Sequence, residues 1–274
     1  MLDEALADLV TGVPTGFCDL DRLTKGFQLG ELIVVAGRPE MGKTSFAVTI
    51  AGHVAMQVGL PVAVFSMEMP AEQWGMRLMS STQRIKLDHL RNGCLEGDEL
   101  KKQTAFVSEF SSSRKVFVDD SSGLTITDIC SRARQYAKEA KQLSLIVIDY
   151  LQLMSATGKY GDRFKEIEAI SCGLKSLAKE LNCPILCLYQ IPNSLEKRTD
   201  KHPIISDLHK FLEQNADLVL FLFREVVYNQ DLKGTDKEHD VEVIIAKQSN
   251  GLTEKVNLVF FGDCSRFMNS TRIN

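Results

Sequence analysis

The chain contains no Cys-x-x-Cys pair, and its seven cysteines are an odd number scattered between Cys18 and Cys264. That distribution excludes a zinc ribbon and a disulfide framework, and it points to a reducing compartment. Cys183 and Cys187 fall on or beside an apolar run, where cysteine acts as a small buried hydrophobe. No apolar run is long enough to span a bilayer, and the start Met1-Leu2-Asp3-Glu4 lacks the basic region of a secretory signal. The expected location is cytoplasmic, with no membrane partner. A global excess of positive charge is also missing: the net charge is -4 over 274 residues. A nucleic-acid partner would have to meet basic residues gathered on one surface or in a channel. There is no internal repeat, no low-complexity tract and no mark of a second domain. At 44% hydrophobic and 25% charged residues, the composition is that of a globular unit able to bury its core without staples.

What the chain does have is Gly37-Arg38-Pro39-Glu40-Met41-Gly42-Lys43-Thr44, which fits G-x-x-x-x-G-K-[ST] at every fixed position. Glu31 to Ala36 is a short β-branched run suited to a buried strand, and Ser45 to Val58 has a helical composition. Strand, glycine loop and helix together are the context this motif needs. Successive backbone N–H groups in such a loop point at phosphate oxygens, and the helix N-terminus adds a partial positive charge. Lys43 would reach the outer phosphates of a nucleotide, and the Thr44 hydroxyl would bind Mg²⁺.

Further buried strands are expected over Pro61–Ser66, Lys115–Val118, Leu143–Asp149, Pro184–Tyr189, Leu218–Phe223, Val241–Ala246 and Lys255–Phe261. Helical spacing covers Leu2–Val10, Gln73–Thr82, Leu100–Phe110, a segment capped by Thr125 that runs to Lys141, and Asp162–Asn182. Thr15 to Phe27 reads as a turn-rich lead-in, Ser155–Gly161 as a mobile loop and Ile191–Ile205 as an exposed loop. Strand and helix alternate through the first two thirds, which predicts an α/β fold. Its sheet should be mostly parallel, with helices on both faces and an antiparallel far edge.

In such a sheet the ligand lies at the carboxyl ends of the strands. Four candidates fall there: the glycine loop, Glu68, Asp149 and Gln190. Asp149 follows Leu-Ile-Val-Ile, the form of a strand whose terminal carboxylate holds Mg²⁺ through its water shell. Glu68 could polarise an attacking water, or it could be a helix-terminal acid beside Pro70. Gln190 could touch a terminal phosphate or simply end its strand. Lys247, near the turn Asn250-Gly251, gains a role only if it faces a neighbouring subunit's nucleotide.

Taken in order, these motifs resemble the core domain of the DnaB-type replicative helicases. The resemblance is carried by Pro14-Thr15-Gly16-Phe17, the glycine loop, Phe65-Ser66-Met67-Glu68-Met69, Ile148-Asp149-Tyr150-Leu151-Gln152, Leu177-Ala178-Lys179-Glu180-Leu181, Ser206-Asp207-Leu208 and Ala246-Lys247-Gln248. It runs from about Gly12 to Phe267. It implies a RecA-like fold over residues 12–270, with residues 1–11 as the end of a linker helix and the amino-terminal collar domain absent. It also implies ATP and Mg²⁺ bound between the subunits of a homo-oligomer, usually a hexameric ring, that moves on single-stranded DNA and can meet a primase or a helicase loader. Glu68 takes the position of the catalytic glutamate, Gln190 that of the γ-phosphate sensor, and Arg224 a place near the adenine. Lys197, Arg198, Lys201, His209 and Lys210 are the expected DNA contacts.

The chain also departs from the family pattern. Ser249 stands where an arginine that reaches the next subunit is usual, which leaves Lys247 as the trans charge. His209-Lys210-Phe211 replaces the usual central-loop sequence, and Tyr189-Gln190-Ile191-Pro192-Asn193 the usual motif before the 191–205 loop. These changes point to a divergent member, of plasmid or phage type. Two other readings stay open. One is an ATP-binding assembly or loading partner with weak hydrolysis. The other is a recombination- or clock-type ATPase of the same fold.

Overall fold

Long apolar runs force the first strands into the middle of the molecule, because such segments are stable only when both faces are covered. A computed structural model describes residues 10–113, 115–155, 163–249 and 251–270. The expected helix over 2–10, with nearly all of the linker segment 1–11, lies outside these residues, as does most of the expected loop over 155–161. The elements run α1 (Cys18–Thr24), β1 (Leu32–Gly37), α2 (Lys43–Gly52), β2 (Val62–Ser66), α3 (Ala71–Gln83), α4 (Leu87–Asn92), α5 (Glu99–Ser113) and β3 (Val116–Asp119). They continue as α6 (Ile126–Glu139), β4 (Leu145–Asp149), α7 (Arg163–Leu181), β5 (Ile185–Gln190), α8 (Lys210–Asn215), β6 (Leu218–Phe223) and α9 (Glu225–Tyr228). The chain ends with β7 (Asp240–Gln248), β8 (Lys255–Phe261) and β9 (Arg266–Asn269).

The strands form one nine-stranded sheet in the order β3-β2-β4-β5-β1-β6-β7-β8-β9. Pairing is parallel from β3 to β6 and antiparallel from β6 to β9, as the alternation of elements predicts. Every residue of β1 is buried, whereas β8 alternates between buried and exposed positions. This is the contrast between a strand covered on both faces and one with a solvated face. Ile33 and Val35 point into a core with α2 and α3, and Leu32, Val34 and Ala36 into a second core with α6 and α7.

Register is what builds the site. Gly37 is level with Gln190, and Ser66 is level with Asp149, so four strand ends meet at one edge of the sheet. Helix α6 starts where expected, on a capping box in which Thr125 and Asp128 satisfy each other's backbone N–H groups. Gly173 lets α7 approach it closely. A Cβ at Gly173 would sit 2.5 Å from Ile126 Cγ1. An Ala in a helix interior normally gains about 0.5–1 kcal/mol over Gly. Overpacking here reverses the sign, so Gly173→Ala is expected to lower stability by about 1–3 kcal/mol, read as a lower denaturant midpoint at unchanged slope.

Short elements escape the sequence patterns. The lead-in contains α1, held by the Asp21 carboxylate, which accepts hydrogen bonds from Thr15 N at 2.9 Å and Thr15 Oγ1 at 2.8 Å. The 191–205 segment carries a 3₁₀ turn over Asn193–Lys197. Strand β9 follows Ser265, whose φ of 50° makes the reversal. Neither α1, α4 nor β9 is long enough for its periodicity to stand out.

Candidate active site

The glycine loop bridges β1 and α2. Glu40 (φ 66°) and Gly42 (φ 87°) adopt left-handed backbone, which turns successive N–H groups inward. A side chain at Gly42 would meet Phe267 Cζ at 3.0 Å, so glycine is needed both for its φ and for the space. Met41 is buried and anchors the loop, accepting a 3.3 Å hydrogen bond at Sδ from Arg224 N. Helix α2 has no side-chain cap and no acid in its first turn, so its free N–H groups face the loop as an anion site.

A cleft of about 340 Å³ opens over this loop. Pro39, Glu40, Gly42, Lys43 and Thr44 line it together with Glu68, Asp149 and Gln190. The ends of β1, β2, β4 and β5 thus converge on one space. The Lys43 ammonium folds back to donate to Arg38 O at 2.8 Å. Burial lowers its pKa to about 8, against the opposing fields of Asp149 and Glu68. Asp149 is 2% exposed, and burial raises its pKa to about 6, against a hydrogen bond from the Thr44 hydroxyl and the positive charge of Lys43. Its Oδ2 is buried without a partner. A buried carboxylate oxygen with nothing to accept from, beside a threonine hydroxyl, fits a hydrated divalent cation.

The Lys43 shift has a testable consequence. Phosphate binding needs the ammonium, and in the free protein that charge is lost as pH rises through about 8. Nucleotide affinity is therefore expected to fall above this pH, by up to about tenfold per unit. A Lys43→Arg variant, which keeps its charge, should bind more weakly at neutral pH yet show no such limb in a fluorescence titration.

Arg38 turns away from the cleft. It donates to Glu196 Oε1 at 2.7 Å, Ile191 O at 2.9 Å and Asn193 Oδ1 at 2.6 Å, tying the loop to the 191–205 segment. Arg224 donates to Glu40 O at 3.1 Å and lies over the Phe260 ring at 4.8 Å, beside the mouth of the cleft. The cations expected on DNA are spread over that segment and α8. Lys197 and Lys210 are exposed. Arg198 pairs with Asp207 at 3.0 Å, and Lys201 donates to the Glu196 and Arg198 carbonyls. His209 packs between Phe164 and Phe211, with ring centroids 4.6 and 5.7 Å away. Lys247 is not in the cleft. It pairs across from Val219, toward the far end of the strands, and caps α8 by donating to Glu213 O at 2.6 Å and Ala216 O at 2.7 Å.

Sequence reading misses Arg77, Tyr150 and Phe260, which also line the cleft. Arg77 was within reach, since the helix after a strand end is a place to look. Phe260 was not, because it arrives only when the antiparallel edge folds over the loop. Gln152 was missed as well: it donates to Gln190 O at 2.7 Å and accepts from Gln190 N at 3.2 Å, fixing the end of β5.

Comparison with known proteins agrees with this geometry. The chain is 47% identical over 263 residues to the replicative DNA helicase DnaB of Haemophilus influenzae, covering 95% of this chain and 56% of that protein. It is 41% identical to that of Geobacillus stearothermophilus, covering 96% and 58%. The chain thus spans little more than half the length of these curated relatives. Among solved structures, one described as an ATPase domain superposes with a TM-score of 0.89 at 31% identity, covering 98% of this chain and 99% of that one. A DnaB-like replicative helicase, solved in a study of its interactions with primase, gives 0.88 at 31% identity, covering 98% and 67%. The fold is the RecA-like one of these ATPase domains. Residues 12–269 match the DnaB-like helicase C terminal domain, and the chain belongs to that family.

Proposed function

We propose that this chain is the ATP-hydrolysing motor domain of a replicative DNA helicase. The observation that carries the reading is the convergence of Lys43, Thr44, Glu68, Asp149 and Gln190 on one cleft at the carboxyl edge of the sheet. The loop N–H groups and α2 cradle the phosphates of ATP, and Lys43 exchanges Arg38 O for a phosphate oxygen. Thr44 and Asp149 hold Mg²⁺, which when bound neutralises charge on the outer phosphates. Glu68 orients a water and takes its proton as the water oxygen bonds to the γ-phosphorus. The bond from that phosphorus to the bridging oxygen breaks, and ADP leaves. Gln190 contacts the γ-phosphate. Arg38 carries the change to the 191–205 segment and its cations.

A cytoplasmic homo-hexameric ring follows from family membership, with single-stranded DNA along its axis and Lys247 facing the next subunit's nucleotide. Lys197, Arg198, Lys201, His209 and Lys210 would face the DNA, and a primase or helicase loader would dock on the assembly. Residues 12–270 act as the motor, with 1–11 as linker. One observation favours the second reading, a loading partner with weak hydrolysis. Ser249 has no charge and binds its own chain, donating from N to Asp217 O at 2.9 Å. Strand displacement separates the two. Assembled protein with ATP should release an oligonucleotide annealed to a single-stranded circle; nucleotide-dependent binding without release would favour the loading partner.

A further inference from the structure

Arg77 stands on α3 and lines the same cleft as Lys43, Thr44, Glu68 and Asp149. Its Nη1 donates to Ser265 Oγ at 3.2 Å, and Ser265 Oγ is 2.6 Å from Ser45 Oγ on the first turn of α2. Both serines are buried, so the guanidinium is braced against the helix that follows the phosphate loop. A guanidinium offers five N–H donors in a planar fork. Among the described residues, Arg77 makes that one hydrogen bond and no ion pair with a carboxylate, and its Nε is buried without a partner. Such an arrangement does not stabilise a fold. A desolvated cation is retained where a partner arrives to satisfy it. Burial acts against its charge, and the fields of Asp149 and Glu68 support it. Its ligand must therefore be anionic and must fit beside those carboxylates. Arg224 and Phe260 mark the other side of the loop, so the open fork of Arg77 lies on the side of the terminal phosphate.

We infer that Arg77 is a catalytic residue, a guanidinium acting in the same chain as Lys43 that grips the γ-phosphoryl oxygens as the bond to ADP breaks. This rests on the ATPase reading above. A planar fork suits the three oxygens that share charge at that point, and the serine brace places it without reorganisation. Arg77 and Lys43 approach the phosphoryl group from different elements, α3 and the glycine loop, while Glu68 holds the attacking water.

The test uses Arg77→Ala and Arg77→Lys beside the wild-type chain. Three readouts are ATP turnover, affinity for a fluorescent ADP, and trapping of ADP with aluminium fluoride, which mimics the transferring phosphoryl group. Arg77→Ala should lose about 10²–10³-fold in turnover, as removal of a transition-state donor does elsewhere. It should also lose aluminium fluoride trapping while keeping its ADP affinity, and Arg77→Lys should recover part of both losses. Should Arg77→Ala fail to fold, the lysine variant carries the test, with reduced trapping at unchanged ADP affinity. Trapping and turnover equal to wild type in either folded variant would overturn the inference. So would ADP affinity falling in step with turnover, since that marks a prop for the loop. A wild-type chain with no turnover would refute the ATPase reading itself, and the inference with it.

Discussion

Glu68→Gln is expected to lower ATP turnover by about 10²–10⁴-fold while nucleotide binding survives. The expectation rests on where Glu68 is held and on what it leaves undone. The backbone on either side is pinned: Met67 N donates to Asp149 O at 2.8 Å, and Ser66 Oγ donates to Met69 O at 2.7 Å. The carboxylate between them lines the cleft and, among the described residues, makes no hydrogen bond or ion pair. The competing role, a helix-terminal acid, is filled by other groups. Helix α3 begins after Pro70 with Glu72 in its first turn, and Ala71 N donates to Asp120 Oδ2 at 2.9 Å. Glutamine keeps the shape and removes the base. A radiometric phosphate-release assay paired with a nucleotide titration checks it; undiminished turnover in the variant would remove Glu68 from the chemistry.

Asp149→Asn should do two opposite things. It should abolish Mg²⁺-dependent turnover, and it should stabilise the nucleotide-free chain. The folded pKa of about 6 lies above the ordinary 3.8 because the carboxylate is buried. Above pH 6 the fold bears the cost of holding it ionised, so the native chain loses stability as pH rises from about 4 through 6. A neutral amide escapes that cost. Lys43, which gains from the field of Asp149, gives part of it back. The net gain at pH 7 is on the order of 1–3 kcal/mol, or a few degrees in Tm for a chain of this size. The difference between variant and wild type should vanish below about pH 4, where both are neutral. Saturating Mg²⁺ and nucleotide should reverse the ranking, because only the wild type binds them. Thermal melts at several pH values, with and without ligand, read all of this. A variant less stable than wild type at pH 7 without ligand would show that the burial of Asp149 carries no cost.

The sequence made the parallel half of the fold legible, because β1, β2, β4 and β5 are continuous apolar runs and the glycine loop has only one geometry. Asp149 and Gln190 could be placed at strand ends before their register was known. Two kinds of feature could not. Segments of four to seven residues, such as β9 and α1, carry too few positions for a period to emerge. Contacts across the chain were also hidden. Phe260 and Ser265 lie far from Gly42 and Arg77 in sequence, and only the folded antiparallel edge brings them together. Lys247 shows the same limit differently. Its position on β7 was legible, but its cap on α8 was not.

Steady-state ATP hydrolysis by the assembled chain, with and without single-stranded DNA, tests the central claim most directly. Coupling of this cleft to movement on DNA calls for turnover that rises when the strand is added and disappears in Lys43→Ala. Equal rates with and without DNA, or turnover that survives the loss of Lys43, would contradict it.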